Sequence, residues 1–478
     1  MEHKFYEYII PNRKYIHRMI RTVYIILLTT LTFLIFTGCE NDNNHVNPDL
    51  TEYIADLDVI YISRTPRYPR YSVQYNHPGT PSSWQWGLWP EIGTTITYTA
   101  FVKNAGTASA KKFEYSWIVD NNFVSGGTYN YNLGTDSSCQ ISYQLNWDGQ
   151  THTIEFRLQQ TDTLDPPINN SRVIKTDGLS LRIHTEPVVY QQFCSLKNFA
   201  GTESFEDWIQ AHIDTLNYMI ETGKSNESVF IDEIVIEDNL PTGGTHAPND
   251  IYWDGRWGFE KHEWTLNSIQ RMVLEIDHGL IHELCHQIGV IDEYNLNFDW
   301  NYVNDNLVNH EVYYIPWHNI MNDLNFLSFS FHANNGLRLN KGKRRGFFGD
   351  YLYDVPLNNQ LLINDTNGTT LKNFNINLYQ AVDNKIDTIP EISGTIPESG
   401  IFQLPNRPVE EVTTPTGHSL KPNPFGQINV VGTNGLFLVE VIIDNKKYYN
   451  WLSIYRFNEE YWKGNTTNAV YEVTIPYP

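Results

Sequence analysis

The chain has 478 residues, 41% hydrophobic and 14% aromatic, with 30 Tyr and 13 Trp, which excludes a disordered polymer and, at about 150 residues per domain, predicts roughly three domains. A formal charge of −22 excludes a nucleic-acid binder, which needs a basic surface to displace phosphate counterions. Four cysteines are too few for a disulfide scaffold, and the aromatic excess predicts β-rich structure.

Lys4, Arg13, Lys14, Arg18 and Arg21 precede an apolar run from Val23 to Gly38. As helix that run spans about 24 Å, short of the roughly 30 Å hydrocarbon core. A cleaved signal peptide is therefore expected over residues 1–38, and Met19 is the expected start of translation because it opens a more ordinary leader. The run ends Ile35-Phe36-Thr37-Gly38-Cys39. Small residues before a lone cysteine resemble a bacterial lipoprotein signal, with Phe36 where Leu is usual. The resemblance implies that Cys39 is diacylated and becomes the mature N-terminus. Residues 39–54 read as a polar tether. Its start, Glu40-Asn41-Asp42-Asn43-Asn44, resembles the surface-export signal of Bacteroides-type lipoproteins, implying an outer-membrane lipoprotein exposed at the surface.

Between 55 and 187 the residues alternate with period two: Thr95 to Val102, Tyr115 to Val119 and Thr153 to Leu158. Turn signals separate them at Asn104-Ala105-Gly106, Asp120-Asn121-Asn122, Gly126-Gly127 and Asp148-Gly149. Short strands at this spacing predict a β-sandwich. The order F-V-K-N-A-G-T-A-S-A, a Trp strand, W-D-G-Q and N-N-S-R resembles the CARDB-type Ig-like modules of bacterial surface proteins. Trp84, Trp86 and Trp89 could form a carbohydrate platform, although packing is the commoner use of such residues.

From 188 to 352 the pattern changes. Phe205, Trp208, Ile209, Ile213, Leu216, Met219 and Ile220 fall on one helical stripe, with Ser204 as candidate N-cap. A strand is expected from Val229 to Ile236, then a second helix that ends at Gly289 and begins either near Thr265 or with Asp277 as N-cap. From 353 onward strands return at Phe374 to Tyr379 and Leu436 to Ile443. The segments N-D-T-N-G-T-T-L and S-G-I-F-Q-L-P-N resemble carboxypeptidase-regulatory-like sandwiches. The basic run Lys341 to Arg345 reads as a solvated helix end.

The chemistry concentrates in His282-Glu283-Leu284-Cys285-His286-Gln287-Ile288-Gly289-Val290-Ile291-Asp292. Positions i and i+4 of a helix share a face, so His282 and His286 can reach one Zn²⁺ ion, and Glu283 can act as general base. In a chain with 16 His a bare H-E-x-x-H arises by chance roughly 0.03 times, and Gly and Asp at the eighth and eleventh positions lower that to about 10⁻⁴. Gly289 permits the sharp turn that would return Asp292 to the metal. The extended motif resembles the metzincin metallopeptidases, in the snapalysin-like form that ends in Asp. The resemblance implies metal ligands His282, His286 and Asp292, and a methionine turn beneath the metal, for which His318-Asn319-Ile320-Met321-Asn322 supplies Met321. Asp292-Glu293-Tyr294 also resembles bacterial zincins related to IgA-type peptidases, whose acidic ligand lies one position later, which keeps Glu293 in contention. His310 and His318 are more distant candidates. Cys285 reads as a buried small side chain, and a Cys139–Cys194 pair would have to cross two domains.

The expected fold class is multidomain: an α+β zincin (metzincin-like) catalytic domain over 188–352, flanked by all-β sandwiches over 55–187 and 353–478. The expected function is zinc-dependent endopeptidase action on extracellular or host proteins, with lipid at Cys39 as the membrane attachment and the sandwiches as candidate glycan or protein binders. The competing expectation is a non-catalytic adhesin or glycan-binding lipoprotein with a structural zinc site. The intact Glu283 argues against it, because a structural site needs no general base and usually fills its fourth position with Cys or His.

Overall fold

The computed structural model describes residues 55–66, 91–159, 169–187, 190–191, 205–225, 227–238, 250–252, 276–288, 290, 293, 318–340, 355–382, 385–386, 389–405 and 436–478. Outside this set lie Cys39, Trp84, Trp86, Trp89, Cys194, Ser204, Gly289, Asp292, His310 and the basic run at 341–345; of His286 only the backbone belongs to it.

The first unit is an Ig-type β-sandwich. Its strands are β1 (Leu57–Thr65), β2 (Thr95–Asn104), β3 (Phe113–Val119), β4 (Asn122–Tyr129), β5 (Ser138–Asn146), β6 (Thr153–Gln159) and β7 (Ser171–Lys175). They pair antiparallel as one sheet in the order β1-β2-β5 and a second in the order β4-β3-β6-β7. Alternation sets the faces: Ile96, Tyr98, Ala100 and Val102 of β2 point inward and are fully buried. Trp117 on β3 bridges the layers, its ring 4.8 Å from Phe156 and 5.8 Å from Tyr143. Asp120 and Asn121 join β3 to β4 with φ of 49° and 64°, the two positive values that a two-residue hairpin of right-handed twist requires. Gly126-Gly127 does not turn the chain. Both lie inside β4 against β3, where a Cβ on Gly126 would come within 2.7 Å of the Tyr115 carbonyl oxygen. They are glycine because the neighbouring strand and its Tyr115 ring approach too closely for a side chain.

The chain leaves this sandwich through β8 (Leu179–Thr185), which pairs in parallel with β9 (Val229–Ile236) and β10 (Asp250–Tyr252) in the order β10-β8-β9. Helix α1 (Phe205–Thr222) packs on this sheet. Its seven stripe residues are all buried as the spacing predicts, each worth about 1.5–3 kcal/mol relative to exposure for the larger aliphatic and aromatic members. Helices α2 (His278–Gln287) and α3 (Phe331–Asn340) complete the same apolar core.

The third unit contains β11 (Asn358–Asn364), β12 (Asn375–Val382), β13 (Lys385–Ile386), β14 (Ile392–Thr395), β15 (Ile401–Gln403), β16 (Leu436–Ile443), β17 (Lys446–Ser453), helix α4 (Ile454–Trp462) and β18 (Asn468–Thr474). One sheet runs β15-β11-β18 and the other β13-β12-β16-β17, with β14 also on β12. Leu361, Ile363, Tyr471 and Val473 from the first sheet meet Ile376, Leu378, Leu438 and Val441 from the second. Asp444 and Asn445, φ 50° and 59°, close a second two-residue hairpin between β16 and β17.

The expected α+β zincin (metzincin-like) catalytic domain is overturned. The described residues are mostly β, with eighteen strands against four helices. Among the described residues the middle segment contributes one apolar core, shared by β8, β9 and helices α1–α3. Its only described sheet is three parallel strands, and one of these, β8, comes from residues on the other side of the boundary expected at 187. Phe230 of β9 lies in the core of the first sandwich, beneath the buried Arg64 guanidinium at 5.0 Å. An amphipathic stripe locates α1, but a stripe records only that one face is buried, not against which sheet. Among the described residues no helix is long and apolar enough to cross a membrane.

Candidate functional site

Helix α2 carries His282, Glu283 and the backbone of His286. Its start is fixed by Asp277, whose Oδ1 accepts from the N–H groups of Gly279 at 2.8 Å and Leu280 at 3.3 Å, so of the two expected starts the structure takes the N-cap at Asp277. Burial raises the Asp277 carboxyl above its ordinary value, against the two backbone donors that lower it. Behind the cap stands His212 of α1, fully buried. Its Nδ1–H donates to the Trp208 carbonyl at 2.7 Å and its Nε2 accepts the Asp277 N–H at 2.8 Å. Only the neutral ring satisfies both partners, and burial lowers its pKa to about 4.

Leu280, Ile281, Leu284, Cys285 and Ile288 turn into the core. Cys285 is the buried small side chain that the sequence predicts, its thiol held well above its ordinary pKa by burial and by Glu283. Past the end of the helix the Val290 N–H donates to the Cys285 carbonyl at 3.1 Å. His282 is nearly buried, and its Nδ1–H donates to the Ile320 carbonyl at 2.9 Å. That bond fixes the tautomer and leaves Nε2 as the basic nitrogen. Glu283 beside it is half-buried.

The Ile320 carbonyl belongs to the tight turn expected around Met321. Asn319 O accepts from Asn322 N at 3.1 Å and Asp323 N at 2.8 Å, and Asn319 Oδ1 accepts from Met321 N at 2.9 Å. Met321 is fully buried in the same core as α2. The Glu293 N–H donates to the Met321 carbonyl at 2.9 Å, which ties the segment after the motif to the turn. The Glu293 side chain is fully buried, with Oε1 accepting from Ser330 Oγ at 2.5 Å and Tyr455 OH at 3.0 Å. Burial pushes this carboxyl up to about 7, opposed by Ser330, His332, Tyr455 and Asn319.

The structure thus brings His282 and Glu293 to the Met321 turn, with Glu283 next to His282 on α2; the His286 side chain and Asp292 lie outside the described residues. His318 is exposed, at φ 67°, with its ring edge-on to Phe326 at 4.5 Å. His278 bonds through Nδ1 to the Leu324 carbonyl. Cys139 is a free thiol. Among the described residues no group of three or more His, Cys, Asp or Glu is arranged to hold a metal. Sequence reasoning missed His212, Ser330, Tyr455 and the Ile320 carbonyl. The turn around Met321 was the one signal that pointed near any of them.

No protein-family description matches the sequence, and no characterised protein matches it. Solved structures that it resembles include the CARDB domain of a Pyrococcus furiosus protein, at 14% identity over 18% of this chain and 77% of that one, with a TM-score of 0.17. A domain of a Methanosarcina acetivorans protein assigned to the cell surface is similar at 21% identity over 26% of this chain and 90% of that one, TM-score 0.18. A calcium-binding mutant of a Bacteroides uniformis β-glucuronidase aligns at 11% identity over 80% of this chain and 60% of that one, TM-score 0.20. Likenesses of this size carry no argument about activity. The Ig-type assignment of the first unit rests on its own strand pairing.

Proposed function

We propose that the protein is a zinc-dependent metalloendopeptidase, held at the bacterial outer membrane by lipid on Cys39 and acting on protein or peptide substrates outside the cell. One observation carries the reading: His282 of an H-E-x-x-H helix gives its Nδ1 proton to Ile320 O in the Met321 turn at 2.9 Å. A histidine oriented in this way offers Nε2 to a metal, and the carbonyl behind it raises its basicity. The donor set of His282, His286 and Asp292 suits Zn²⁺ with one position left open. Asp292 is the third ligand that the extended motif implies; Glu293 is fully buried, with Oε1 bonded to Ser330 and Tyr455.

When bound, zinc would supply Lewis-acid polarisation of the peptide carbonyl and of the attacking water. Glu283 takes the water proton and returns it to the leaving amine, so one carboxylate serves both steps. The bond from His282 Nδ1–H to Ile320 O places the ring's Nε2 as the nitrogen that would meet the metal. Digestion of casein or gelatin by the purified mature protein, with and without chelator, tests the reading. Cleavage that a chelator abolishes and zinc restores is expected; a protein that cleaves nothing with zinc present, or is indifferent to the chelator, refutes it.

A further inference from the structure

The environment of Glu293 reaches beyond the motif. Tyr455 lies on α4 of the C-terminal sandwich and is fully buried there, 162 positions from Glu293. Its ring stacks almost parallel on His332 of α3, with centroids 5.1 Å apart and planes 5° apart. Its hydroxyl donates to Glu293 Oε1 at 3.0 Å, and Ser330 Oγ donates to the same oxygen at 2.5 Å. Ser330 also caps α3, since its Oγ accepts the Ala333 N–H at 3.0 Å. On the backbone side Glu293 donates its N–H to Met321 O at 2.9 Å. One residue before Met321, the Ile320 carbonyl holds the His282 ring. Hydrogen bonds joined by the backbone of Glu293 and of Ile320-Met321 therefore link Tyr455 of the C-terminal sandwich to His282.

We propose that Tyr455, Ser330 and Glu293 are positioning residues by which the C-terminal sandwich sets the place of the Met321 turn, against which His282 is oriented. The inference rests on the metal reading above for its consequence, but the relay itself is a property of the chain without metal. Two hydroxyl donors from separate elements on one buried oxygen leave that carboxylate little freedom, and its backbone holds the turn against which His282 is oriented. The C-terminal unit is thus part of the site's scaffold. Groups that orient a metal ligand from behind typically change metal affinity 10–100-fold when removed.

The test uses the full mature chain with Tyr455→Phe, which keeps the stacked ring and removes the hydroxyl. Zinc affinity is read by competition with a chelating dye, and hydrogen exchange of the peptide containing Glu293 is read in the metal-free protein. Tyr471→Phe is the control. It removes a buried hydroxyl of the same sandwich, bonded to Asn359 Oδ1 at 2.7 Å, without touching Glu293. Tyr455→Phe should weaken zinc about tenfold and speed exchange at Glu293 by a similar factor, while Tyr471→Phe changes neither. Ser330→Ala should act in the same direction, with Ser330→Thr restoring both readings, which keeps the test alive if Tyr455→Phe does not fold. A Tyr455→Phe protein that matches wild type in both readings overturns the proposal, as does Tyr471→Phe reproducing its effects. If wild type binds no zinc while Tyr455→Phe still speeds exchange, the relay stands and the peptidase reading falls.

Discussion

Acidification should loosen the motif helix through one residue, His212. The ring is neutral and fully buried, holding Trp208 O through Nδ1–H and the Asp277 N–H through Nε2. Protonation destroys the Nε2 acceptor and puts a charge in the core beneath the N-cap of α2. The unfolded chain takes up the proton near 6.5 and the folded chain only near 4, so the unfolded state binds more protons between these values. The stabilising contribution is therefore complete above about 6.5 and is lost as pH falls towards 4. At 1.36 kcal/mol for each tenfold, the whole term is about 3 kcal/mol, of which about 2 kcal/mol disappears between pH 7 and pH 4.5. Urea unfolding of wild type and His212→Gln at both pH values isolates it, since other titrating groups cancel in the difference. Wild type should lose about 2 kcal/mol more than the variant on acidification. Equal losses in the two proteins would show that His212 is not a buried neutral tie.

Other consequences are as direct. Trp117→Ala should cost about 3–5 kcal/mol by emptying the space between Phe156 and Tyr143; calorimetry showing less than about 1 kcal/mol would remove Trp117 from the centre of the first sandwich. His152 faces Asp120 through Nδ1 at 2.6 Å and Asp148 through Nε2 at 3.0 Å, and its pKa is raised above 6.5, first by the hydrogen bond to Asp120. Its stabilisation is complete below 6.5 and fades as pH rises through the raised value; a titration by NMR placing His152 below 6.5 would contradict this. Cys39→Ser should yield a soluble protein or an unprocessed precursor, because acylation with two or more chains is what holds such a protein in a membrane. Wild type found wholly in the soluble fraction, without lipid by mass spectrometry, would remove the anchor.

Local patterns were legible in the sequence where one period sets both the element and its buried face. The α1 stripe, the strand from Val229 to Ile236 and the strand from Leu436 to Ile443 appear with the residues expected. Asp277 was readable as a cap because a short acceptor one residue before a helix satisfies N–H groups that have no partner within the helix. What depended on distant partners was not legible. Gly126-Gly127 carries the composition of a turn, but its glycines answer to Tyr115 on the neighbouring strand. No local pattern in β8 distinguishes a strand that finishes a sandwich from one that opens a parallel sheet, and the expected catalytic-domain class failed there. At the site, the H-E-x-x-H segment lies on helix α2 and a tight turn stands at Met321. The group that orients His282 is a backbone carbonyl, which no side-chain pattern encodes, and Tyr455 reaches Glu293 from another unit.

The peptidase reading stands or falls on the rate of peptide hydrolysis by Glu283→Gln relative to wild type at equal zinc occupancy. Glu283 binds no metal in this account, so the variant should fold, hold one zinc and lose about 10²–10⁴-fold in rate through the missing general base. A Glu283→Gln protein that hydrolyses peptide at close to the wild-type rate would contradict it.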